Sequence, residues 1–187
     1  MTDALKNNSV ISKTEISLGD TITVSGKATG GTSPYQYNIL YKQTAQSKWT
    51  TVQSYKTNST VTIKPAKATT YDVCVKIKDS NGTIVKKFFT VQVNAKLANT
   101  STISATEIKK GNTVTVNGSA TGGAGNYTYA VFYKQKAQTQ WTTKQDFNEN
   151  TNVSIKPMLA TDYDICVKVK DKNGTIAKQY FTVTVTK

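Results

Sequence analysis

The side chains with chemistry to offer in this 187-residue chain are two thiols, two tryptophans, ten tyrosines and 24 lysines; histidine and arginine do not occur. Without histidine there is no ordinary nucleophilic triad and no imidazole metal site. The acids, such as Glu15, Asp20, Asp72 and Asp79, come one or two at a time, with no Asp-rich calcium loop. No insertion builds a cleft for a paired-carboxylate glycosidase. Cys74 and Cys166 have only lysines nearby to activate them, so catalytic thiols are not expected. The sequence therefore points to no enzyme, with no catalytic, cofactor-binding or metal-binding residues, and leaves binding as the chemistry to look for.

The basic residues set limits on the partner. The formal charge is +13, spread as 13 lysines against 5 acids over 1–96 and 11 against 6 over 97–187, so neither half is a basic arm. Base readout and bidentate phosphate grip rely on the arginine fork, which argues against a specific nucleic-acid reader. A diffuse lysine coat suits solubility, or loose attraction to a polyanion such as a cell-wall polymer or membrane surface.

The elements that must position these residues come in two copies. Shifted by 92 positions, Ser101–Val185 lies on Ser9–Val93 without a gap. Trp49-Thr50-Thr51 then meets Trp141-Thr142-Thr143, and Tyr71-Asp72-Val73-Cys74-Val75-Lys76 meets Tyr163-Asp164-Ile165-Cys166-Val167-Lys168. A period near 90 is too long for a solenoid unit and fits two domains, 1–95 and 96–187, with 1–8 expected as a disordered tail. Apolar and polar residues alternate over Thr21–Gly26, Tyr35–Tyr41, Thr60–Lys64 and Tyr71–Lys78. Strands are expected to begin near Ile11, Thr21, Tyr35, Trp49, Thr60, Tyr71 and Ile84, seven per domain, as in a sandwich. Asp79-Ser80-Asn81-Gly82 reads as a hairpin with a type I′ Asn-Gly turn. The join Asn94–Asn99 has neither Gly nor Pro, which predicts limited hinge freedom.

Strand parity sorts the faces. Tyr35, Tyr37, Ile39 and Tyr41, with Tyr71, Val73, Val75 and Ile77, are assigned to the core. The opposite face of the third, sixth and seventh strands gathers Leu40, Cys74 and Phe88 with Lys42, Lys76 and Lys78. In the second copy it gathers Phe132, Cys166 and Tyr180 with Lys134, Lys168 and Lys170. Apolar residues ringed by lysines make a candidate interaction patch. Trp49 and Trp141 are expected to cover a sheet edge, with an aromatic platform for sugar as the functional alternative. Tyr71 and Tyr163 open a strand after a corner, where the hydroxyl can bond upstream backbone.

The order Tyr37-x-Ile39-x-Tyr41, Trp49, Ile63-x-Pro65, Tyr71-x-Val73-x-Val75 resembles fibronectin type III-like sandwiches and, more narrowly, the triple-tyrosine (Y_Y_Y) domain. The segment Ala66–Thr70 is longer than the fibronectin pattern, and neither a propeller nor a kinase is present to carry a sensor role. The expected fold class is all-β, two tandem seven-stranded Ig/fibronectin III-like β-sandwiches. The resemblance implies extracellular or cell-surface placement. The expected role is a monomeric spacer or adhesion stalk of a bacterial surface or secreted protein. Alternatives are a low-affinity module for anionic cell-wall polymer, glycan or another surface protein, and an accessory domain of a sensor. No apolar run approaches the roughly 18 residues of a spanning helix, and both ends read as cuts in a longer protein. One unpaired cysteine per copy is compatible with a reducing habitat.

Overall fold

Alternation at period two gives each copy strands with one wet and one dry face, and such faces are buried by stacking a second sheet on the first. The computed structural model describes residues 3–187 and divides into two units, Met1–Ala95 and Lys96–Lys187. The first unit holds β1 (Lys6–Asn7), β2 (Val10–Ile11), β3 (Glu15–Ser17), β4 (Ile22–Ser25), β5 (Ala28–Thr29), β6 (Gln36–Gln43), β7 (Thr50–Lys56), β8 (Thr60–Ile63), β9 (Thr70–Lys78) and β10 (Ile84–Asn94). The second repeats them as β11 (Ala98–Asn99), β12 (Thr102–Ile103), β13 (Glu107–Lys109), β14 (Val114–Asn117), β15 (Ala120–Thr121), β16 (Thr128–Gln135), β17 (Thr142–Asn148), β18 (Asn152–Ile155), β19 (Asp162–Lys170) and β20 (Ile176–Thr186).

In each unit a three-stranded sheet, β2-β4-β8 or β12-β14-β18, faces a five-stranded sheet, β3-β10-β9-β6-β7 or β13-β20-β19-β16-β17. The strand expected near Ile11 is divided between the sheets: β2 pairs antiparallel with β4, and β3 runs parallel to β10. Counted as one, these give the seven strands of the sandwich. The dry face of the first unit is the expected one, with Tyr37, Ile39, Tyr71, Val73, Val75 and Ile77 packed on Ile22, Val24 and Ile63. A Cβ on Gly118 would stand 2.8 Å from the Tyr129 ring, so a glycine there lets the tyrosine lie flat on the neighbouring backbone.

Two expectations are corrected. The tail over 1–8 is folded wherever it is described; its first two residues lie outside the described range. Leu5 joins the core at 8% exposure, β1 pairs with β5, and the Asn7 side-chain amide donates to the Val75 carbonyl at 2.9 Å. The segment has too few apolar positions to show a period, yet one leucine suffices to anchor it. The hairpin after β9 is also not type I′. Gly82 N–H bonds the Asp79 carbonyl at 3.1 Å and Gly82 takes φ +84°, while Asn81 stays at negative φ. That is a type I turn followed by a left-handed glycine. The Asp79 carboxylate decides it, accepting from the N–H groups of Asn81 at 3.1 Å and Thr83 at 2.8 Å.

Candidate functional site

Across the outer face of the five-stranded sheet, cross-strand register places Thr51, Leu40, Cys74 and Phe88 in one row. The second unit has Thr143, Phe132, Cys166 and Tyr180 in the same row. The patch expected from parity is thus assembled, and the tryptophans belong to it. Trp49 lies 6.2 Å from Phe88 at an interplanar angle of 50°, and Trp141 lies 6.4 Å from Tyr180 at 51°. In each unit the residues expected as a patch and those expected as an aromatic platform lie together.

Rings and sheet border an open hollow of ≈ 300 Å³ in the second unit, lined by Phe132, Trp141, Thr143, Cys166, Lys168, Lys178 and Tyr180. The counterpart in the first unit is ≈ 150 Å³, lined by Leu40, Trp49, Cys74, Lys76, Lys86 and Phe88. The rings that form the walls are wet: Phe88 is 60%, Tyr180 59% and Trp141 39% exposed. The thiols that form the floor are not, at 3% each. Burial pushes both thiols up. Lys76 and Lys86 pull Cys74 the other way, and the Tyr180 hydroxyl, Lys168 and Lys178 pull Cys166, without reversing the shift. A protonated, covered thiol is a poor nucleophile, so the cysteines act here as small apolar floor residues.

The lysines divide into three sets. Lys42 and Lys134 are ion-paired with Asp72 and Asp164 at 3.2 and 3.1 Å, and each lies 5.4 Å from the centroid of its tryptophan ring. They brace the tryptophans from beneath. Lys78 and Lys170 stand over Tyr55 and Phe147 at 4.7 and 4.3 Å, away from the hollow's lining. Lys76 and Lys168 reach the hollow itself, each facing a second lysine directly across the strand pair, Lys86 and Lys178. Lys86 and Lys178 were missed in the sequence, although parity gives them away: each stands two residues before Phe88 or Tyr180 and so shares its face.

The tyrosine corner is present at Tyr71, whose hydroxyl accepts from Lys67 N–H at 3.1 Å. Among the described residues no three His, Cys, Asp or Glu side chains gather to hold a metal, and no helix is long and apolar enough to cross a membrane.

No family model matches the chain, the triple-tyrosine family included, and no curated protein matches its sequence. Solved structures do. The N-terminal eight Ig domains of Down Syndrome Cell Adhesion Molecule isoform 1.30.30 align over 100% of this chain and 25% of theirs, at TM-score 0.61 and 13% identity. This chain is a tandem pair of Ig/fibronectin III-like β-sandwiches. The fibronectin(III)-like modules of Clostridium thermocellum CbhA align over 98% of this chain and 94% of theirs at TM-score 0.43 and 14% identity. A Ca2+-stabilized adhesin described as helping an Antarctic bacterium bind ice aligns over 100% of this chain and 49% of its own at TM-score 0.48 and 24% identity. The chain thus spans a quarter to a half of two of these three.

Proposed function

We propose that this chain is a non-catalytic module of a surface or secreted protein whose two sandwiches each offer a weak binding face to an anionic cell-wall polymer or glycan. One observation carries the reading: the same tilted aromatic pair, covered thiol and facing lysines recur at register-equivalent positions in both units. A spacer needs only solvated surface, whereas exposed aromatics beside focused lysines are what a binder requires. The Ig array of a cell adhesion molecule shares the fold, which suits placement outside the cell. Two faces on one chain raise avidity for a repeating polymer even when each is weak.

A spacer or adhesion stalk is the second reading, favoured by two units that each close their own core. Co-sedimentation with purified Gram-positive cell walls, with and without their teichoic acids, separates the two. Binding that persists at about 0.15 M salt and requires the anionic polymer is the expected result. Binding absent there, or lost with modest salt, leaves the spacer.

A further inference from the structure

We propose that the hollow of the second unit is a subsite for one residue of an acidic saccharide. The sugar ring stacks on Trp141 and Tyr180, and its carboxylate or phosphate sits between Lys168 and Lys178. This rests on the binding reading above and narrows it to a ligand class and to one of the two units.

Charge gives the first reason. Like charges directly opposite on neighbouring strands destabilise a sheet, yet the pair recurs as Lys76 facing Lys86 and Lys168 facing Lys178. Among the described residues the ion pairs on this face are made elsewhere, by Lys42 with Asp72, Lys134 with Asp164 and Lys136 with Asp162. The Lys168 ammonium lies over the Phe132 ring, 4.5 Å from its centroid. An anion between two ammonium groups converts their repulsion into attraction. The same charge disfavours a second copy of this basic chain as the occupant.

The walls give the second reason. Two exposed rings meeting at 51° form an open trough beside the lysines, and at ≈ 300 Å³ the hollow reaches the lower end of ligand-site volumes, about 300 Å³. A sugar offers a C–H face to an aromatic ring, hydroxyls to Thr143 and Tyr180, and an acid group at a fixed offset. An acidic peptide would satisfy the lysines and leave the rings idle. The first unit is the poorer site, because Leu40 and Phe88 stand for Phe132 and Tyr180, remove a hydroxyl and halve the hollow.

The test is calorimetric titration of the full chain with oligogalacturonate, its neutral methyl ester, a phosphorylated mannan and polyglutamate at about 0.15 M salt. The uronate and phosphate arms show which acid group is preferred; binding of either supports the proposal. The methyl ester should bind about tenfold or more weakly. Trp141→Ala and the double variant Lys168→Gln/Lys178→Gln should each cost about tenfold, and Trp49→Ala less than about threefold. The lysine variant removes no packed core, so it stands as a test even where Trp141→Ala perturbs folding. Polyglutamate binding as tightly as either saccharide, or saccharide binding indifferent to both second-unit variants, overturns the proposal. Wall binding by wild type that Trp141→Ala leaves intact overturns the saccharide subsite and spares the binding reading. Wild type that binds neither walls nor saccharides overturns both.

Discussion

Asp79 spends its carboxylate on backbone: Oδ1 accepts from Asn81 and Thr83, and Oδ2 accepts from Thr32 N–H at 3.2 Å, tying the hairpin after β9 to the loop before β6. Burial raises its pKa, but the donors on Thr32, Thr83 and Asn81 outweigh it and hold the group below its ordinary value. A lowered folded value means its contribution is complete above the unfolded pKa, about 3.9, and is lost as pH falls through the folded one. Asp79→Asn should therefore lower the urea midpoint at pH 7 and flatten the loss of stability below about pH 4. Unfolding curves collected from pH 7 down to pH 3 check both. This residue also shows why the turn was misread. Asn81-Gly82 alone favours type I′, but the carboxylate at the first position of the turn outvotes the dipeptide, and its partner Thr32 lies 47 residues away.

Among the elements, long strands were legible and two-residue ones were not. β6, β9 and β10 run 8, 9 and 11 residues, enough for parity to put Leu40, Cys74 and Phe88 on one face, while their alignment in one row comes from cross-strand register. β1 and β5 have two residues each and no period to read. The tryptophans' place was also illegible, since each precedes its strand, where parity no longer applies. For β1, the anchoring leucine carries the prediction: Leu5→Ala should cost about 2–4 kcal/mol, as for other buried leucines, measured by chemical denaturation. A tail would lose nothing. β10 holds a further element-scale device. Only its last three residues pair with β3. Upstream, Lys87 points to the core side and donates from Nζ to the Ser9 carbonyl at 2.8 Å. An inward lysine on a half-open edge discourages another strand from adding there.

At the scale of the whole molecule the repeat was the clearest signal in the sequence, because a gapless shift of 92 residues cannot preserve strand parity by accident. The cores follow it. One cluster draws only on the first unit, and two draw only on the second. Truncating Val75, fully buried in the first unit, should then split denaturation into two steps. The earlier step should move by about 2–3 kcal/mol and the later one should stay near wild type. Tryptophan fluorescence suits the measurement, with Trp49→Phe and Trp141→Phe backgrounds assigning each step.

The covered thiols under the aromatic rings have a practical consequence. Each sandwich carries one thiol at matching depth, and the chain has no other cysteine. At 3% exposure each thiol should react slowly with a reagent in native buffer and faster whenever its sandwich opens. Mass spectrometry of the two cysteine peptides thus turns labelling rates into separate opening clocks for the two halves, with no probe engineered in.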